Sequence, residues 1–169
     1  MINQPIPRYP IVDTGPLFDF LLWRFSESSR IPNLFSKLIY LTNDPYKKSV
    51  QWYFAVAKPI TTCPQVIAEI HRHAEKQLRG VYLRNFWVFA QKELIELGLN
   101  EELVKLVEMD SDTLSSFGPA DTALLRIATD LNRPVFTAEG KLAGLCRKKE
   151  VSVLGIADIL SIWQQYGSK

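Results

Sequence analysis

YPIVDTGPLF, residues 9–18, is the stretch on which the fold turns. Its first residues form a short apolar run without polar alternation, the pattern of a strand buried on both faces. The run stops at Asp13, and Gly15 and Pro16 follow at once. Pro16 suits the first turn of a helix, so GPLFDFLLWRF is expected to be helical. An ionised carboxylate at the end of a buried strand is costly unless something pairs with it. What Asp13 faces is the question put to the rest of the chain.

Working outward, SESSRIP (26–32) reads as a polar loop. Helices are expected over about 33–41 and 46–57, broken by TNDP (42–45). KPITTCP (58–64) is a β-branched run between prolines, hence a strand. Pro64 opens a long helical segment interrupted near Gly80 and stopped at Gly98. NEELVKLVEMD (100–110) reads as one more amphipathic helix and DSDTLSSFGP (110–119) as a loop. ADTALLRIATDLN follows as a helix with Leu124, Ile127, Ala128 and Leu131 on one stripe. RPVFTA (133–138) and EVSVLGI (150–156) are strands around the helix GKLAGLCRKK, and ADILSIWQQYG closes as a short helix. Short apolar strands alternating with helices predict a parallel sheet of four to five strands covered on both faces. No repeat or linker divides residues 1–169, so one domain is expected.

Composition narrows the class. With 47% hydrophobic and 22% charged residues the chain is ordinary for a globular protein. A net charge of +2 is too small to coat nucleic acid by charge alone, so any such binding must be local. Cys63 and Cys146 are far apart and form no C-x-x-C, which favours a reduced, cytoplasmic setting and two small buried hydrophobes. The N-terminal MINQPIPRYP lacks the pattern of a signal peptide, and no apolar run reaches the roughly 18 residues of a membrane helix. There is no phosphate-cradling G-x-x-x-x-G-K-[ST], no dinucleotide G-x-G-x-x-G and no G-x-S-x-G elbow. Gly15 stands two residues after Asp13, where haloacid-dehalogenase-like phosphatases carry a second acid.

Ligands of parallel sheets bind at the carboxyl ends of the strands. Four acids fall there or at helix starts just beyond: Asp13, Glu69, Asp121 and Glu139. Singly, each has an ordinary reading as a turn, cap or helix-dipole residue. Together they would repel one another and raise each other's pKa values, a cost usually met by a bound cation. Hard carboxylate oxygens suit Mg²⁺ or Mn²⁺, which keep waters and bind phosphate, and such ions promote in-line attack on a phosphodiester.

IVDTGPL, TTCPQVIAEI, GPADTALLRIATDLNRPVFTAEGKL and EVSVLGI, in that order, resemble a PIN domain over about residues 9–156. That family comprises metal-dependent ribonucleases, among them many toxins of toxin–antitoxin pairs. The resemblance implies an acidic quartet of Asp13, Glu69, Asp121 and Glu139. Asp13, Asp121 and Glu139 would hold the metal, with Thr14 and Thr137 as hydroxyls beside the acids. It also implies an RNA substrate cut to a 5′-phosphate and a 3′-hydroxyl, an antitoxin partner and a homodimer. Thr137-Ala138-Glu139 departs from the family's T-x-D by one methylene, about a bond length. The rival expectation is the same fold binding RNA or protein without cutting.

Other groups carry two readings each. Glu69 and His73 in EIHRH are spaced to chelate zinc, or are an exposed polar face, no second ligand pair being present. Arg72, Lys76, Arg79 and Arg84 could follow an RNA backbone or form a solvated helix face. Lys141, close behind Glu139, is placed for a phosphate contact. FWVF (86–89) and SIWQQY (161–166) suit core or interface better than base stacking.

Overall fold

The computed structural model describes residues 6–31 and 37–167. Five strands form one all-parallel sheet: β1 (Ile11–Val12), β2 (Thr61–Thr62), β3 (Asn100–Glu101), β4 (Val135–Phe136) and β5 (Val153–Leu154). Their order across the sheet is β3-β2-β1-β4-β5. Helices flank it as the outer layers of an α/β/α sandwich, as the alternating pattern predicts.

The register places Ile11 opposite both Thr61 and Val135, which makes β1 the central strand. Ile11 and Val12 are wholly buried, matching their lack of polar alternation. The chain runs outward from β1 through β2 to β3, then crosses back to place β4 on the other side of β1. The sheet thus reverses its winding between β1 and β4, where the connections diverge and leave a crevice at the carboxyl edge.

Helix α1 (Thr14–Ser29) leaves β1 directly. Leu17, Leu21 and Leu22 are fully buried, and Phe18, Phe20, Trp23 and Phe25 nearly so. A helix apolar on nearly all sides belongs inside a protein, and each buried leucine contributes about 1.5–3 kcal/mol. Phe20 packs edge-on against Phe54 of α2 (Asp44–Ala57), with ring centroids 4.9 Å apart, and Phe54 continues to Phe136 of β4. Helices α3 (Pro64–Gln77) and α4 (Val81–Glu96) pack on α1, with Phe86 set against Phe25 at 5.6 Å. The interruption expected near Gly80 is the break between them. Cys63 and Cys146 are buried free thiols, as expected.

Several boundaries differ from the sequence reading. Helix α1 continues through Ser29, because Ser26 and Ser28 return their hydroxyls to the carbonyls of Ile31 and Phe25 instead of breaking the turn. Of the helix expected over 33–41, residues 33–36 lie outside the described residues, 39–40 form a bend, and the amides of Ile39, Tyr40 and Leu41 are taken by Asp19. Helix α2 starts at Asp44, capped by Asn43, whose Oδ1 accepts from the Tyr46 amide. The helix expected over 100–110 is instead the edge strand β3 followed by a 3₁₀ turn, Leu106–Glu108. The amides of Asn100 and Glu102 donate to Ile60 and Thr62, so the open edge of β2 overrides local helix propensity. The loop expected over 110–119 contains helix α5 (Ser111–Phe117), started by Asp110, which accepts from the amide and hydroxyl of Thr113. Helices α6 (Pro119–Leu131), α7 (Gly140–Lys148) and α8 (Ile156–Tyr166) fall where the sequence places them.

Candidate active site at the carboxyl edge

Asp13 occupies the crevice. Its amide still belongs to the sheet, donating to Phe136 at 3.0 Å, while its side chain caps α1. Oδ1 accepts from the Thr14 amide at 2.6 Å, and Oδ2 accepts from the Thr137 hydroxyl at 2.6 Å. Thr137 ends β4, so this bond joins the two strands at the reversal. The same hydroxyl accepts from the Glu139 amide at 3.0 Å, tying the turn that carries Glu139 to Asp13. Across the crevice the Thr14 hydroxyl donates to Glu69 Oε2 at 2.7 Å, linking α1 to α3. Asp121 enters from the first turn of α6, which packs on β1 and β4.

The four acids line one cavity of about 250 Å³, together with Phe18, Tyr40, His73 and Phe117. Among the described residues no lysine or arginine lines it. Burial is the largest cause that pushes the Asp13 carboxyl up to about 6, against the hydrogen bonds from Thr137 and Thr14, with Glu139 and Glu69 adding repulsion. Burial likewise lifts Asp121 to about 7, helped by Asp13, Glu139 and Glu69 and opposed by Lys141. Asp13 and Asp121 therefore sense the other acids, which answers the question set by Asp13: it faces three more carboxylates.

The donor set is hard oxygen carrying negative charge that the lining does not neutralise, which fits Mg²⁺ or Mn²⁺. Among the described residues no three His, Cys, Asp or Glu side chains are grouped closely enough to hold an ion as they stand. Asp13 is engaged by the Thr137 hydroxyl and Glu69 by the Thr14 hydroxyl, and Glu139, at the cap of α7, is exposed to solvent.

Of the three candidate cations, Arg72 and Lys141 contact residues that line the cavity. Arg72 is 3.6 Å from Glu69 Oε1 and Lys76 is exposed in the last turn of α3. Lys141 donates to the Ser116 carbonyl at 2.8 Å and lies over the Phe117 ring. His73 lies on the cavity wall against Phe18, with ring centroids 5.5 Å apart, and His71 pairs with Glu75, so the two histidines face different partners.

Two residues of this region escaped sequence reading. Asp19 is a fifth acid lining the same cavity, buried, and its Oδ2 accepts from the amides of Ile39, Tyr40 and Leu41 at 2.9, 2.6 and 3.1 Å. An acid inside PLFDFLLW, flanked by apolar residues on both sides, was its available signal. Tyr40, which that acid positions, had none.

Comparison with protein-family models, with curated proteins and with solved structures finds no match to this chain.

Proposed function

We propose that this chain is a PIN-like endoribonuclease that hydrolyses RNA phosphodiester bonds with Mg²⁺ or Mn²⁺. The observation that carries the reading is the meeting of Asp13, Glu69, Asp121 and Glu139 around one cavity, with the Asp13 carboxyl near 6 and that of Asp121 near 7. A bound divalent cation would stabilise charge at phosphorus and acidify a water. Asp13, Asp121 and Glu139 would hold it. Glu69, oriented by Thr14, would accept a hydrogen bond from the attacking water. Thr137 keeps Asp13 aimed into the cavity from below. Arg72 and Lys141, which contact the lining residues Glu69 and Phe117, would meet a backbone phosphate, with Lys76 farther along α3. The products expected from the family resemblance are a 5′-phosphate and a 3′-hydroxyl. Under this reading an antitoxin protein and a second copy of the chain are the partners to look for in the cytoplasm.

One observation favours a second reading, an RNA- or protein-binding module. Among the described residues no three acids close on a point, and the fourth acid is an exposed glutamate. Calorimetric titration of metal-free protein with Mn²⁺, beside Asp13→Asn, separates the two when followed by incubation with RNA. A nuclease takes up Mn²⁺ and cuts, and the variant loses both. A wild type that binds RNA without cutting it, with no uptake of Mn²⁺ in its presence, makes the module reading the correct one.

A further inference from the structure

Beside the acid cavity lies a second depression of about 560 Å³ that the carboxylate chemistry leaves unused. Both are lined by Ile39, Tyr40 and Glu139, so Tyr40 stands on the boundary between them. Its ring lies close over Gly15. A Cβ at that position would come within 2.6 Å of Tyr40 Cε2, so the glycine makes room for the ring two residues after Asp13. The backbone of Tyr40 is held from beneath by the Asp19 carboxylate through three consecutive amides. Hydrogen bonds to an ionised acceptor are roughly twice as strong as neutral ones. The ring is therefore set in place before any ligand arrives, which removes an ordering cost from binding.

The lining of the depression indicates its ligand. Tyr40, Tyr46, Ala143 and Ile156 supply flat or apolar walls, and Arg147 and Asp158 supply polar edges. Glu139 and Asp158 oppose Arg147, so an anion is poorly served there. A planar heterocycle with hydrogen-bonding edges suits walls of this kind, and the volume is in the usual range for small-molecule sites. We infer that this depression seats one unpaired nucleobase of the RNA, stacked on Tyr40, next to the phosphate that lies over the acids. The inference rests on the ribonuclease reading and adds a requirement to it. A base within a duplex cannot stack on Tyr40, so the substrate must be single-stranded at this position.

The test measures the affinity of a short fluorescent single-stranded RNA of mixed sequence, by anisotropy in chelator, and its single-turnover cleavage with Mn²⁺. The proteins are wild type, Tyr40→Ala, Tyr40→Phe and Ala157→Trp, the last placing a large ring in the depression from its far side. Stacking on one aromatic ring predicts about a tenfold loss of affinity for Tyr40→Ala, and near-wild-type affinity for Tyr40→Phe. Ala157→Trp should weaken binding similarly. In cleavage, the half-saturating RNA concentration should rise while the saturated rate stays within about twofold. Wild-type protein that cuts RNA while Tyr40→Ala binds and cuts it equally well overturns the inference and leaves the nuclease reading standing. An equal loss in Tyr40→Phe overturns stacking, because the hydroxyl would then be the contact. A wild type that neither binds nor cuts RNA brings down both. Should Tyr40→Ala fail to fold, Ala157→Trp decides: unchanged binding refutes the inference.

Discussion

At the scale of single residues, the site is a store of unfavourable charge. Asp13 ionises near 3.8 in an unfolded chain but near 6 in the folded protein, so the fold binds an extra proton between those values. Stability of the metal-free protein should therefore fall as pH rises from about 4 to 6 and level off above, a loss of about 3 kcal/mol from Asp13 alone. Asp121, raised to about 7, extends the decline upward. Thermal melts in chelator across this range check the direction, and a melting temperature that rises instead would remove the case for uncompensated acids. At pH 7.5, Asp13→Asn should melt higher than wild type in chelator, since the amide keeps the shape and drops the charge. Added Mn²⁺ should raise the wild-type melting temperature and leave the variant's unchanged.

At the scale of elements, Asp110 is the clearest case of a local rule at work. It starts α5, so Asp110→Ala should lower the midpoint of a denaturant titration, without affecting Mn²⁺ uptake. An unchanged midpoint would show that α5 is held by packing alone. The same stretch shows what can be read from sequence. DSDTLSSFGP looks like a loop because serine, threonine and aspartate favour turns, yet Asp110 turns that preference into a cap. NEELVKLVEMD has helical spacing, but its amides find the vacant edge of β2, a partner no local pattern encodes. By contrast, β1, β4 and the helices beginning at Thr14, Pro64, Pro119 and Gly140 were legible, because buried parallel strands and proline-led helices carry their signal locally. The acids at their ends became legible with them. Asp19 and Tyr40 did not, since their contact joins positions 21 apart through a bend with no motif.

At the scale of the whole molecule, charge limits how RNA could be held under the ribonuclease reading. With a net charge of only +2, affinity cannot come from a broad basic surface. If Arg72, Lys76 and Lys141 make the phosphate contacts, the logarithm of the binding constant should fall with that of salt at a slope of about −2, near −0.7 per contact for a single strand. Anisotropy at several salt concentrations measures it, and a slope several times steeper would point to a surface other than the rim of the cavity. No helix among the described residues is long and apolar enough to cross a membrane. The winding of the sheet has a consequence for biosynthesis. Thr137 and Asp13, which lock the two halves of the site together, are separated by 124 positions, and β4 takes its place beside β1 only after three other strands have been made. Three of the four acids are therefore made before β4, but Glu139 and the Thr137 hydroxyl that holds Asp13 come after it, so under the ribonuclease reading the growing chain carries no complete site until residue 139 has left the ribosome.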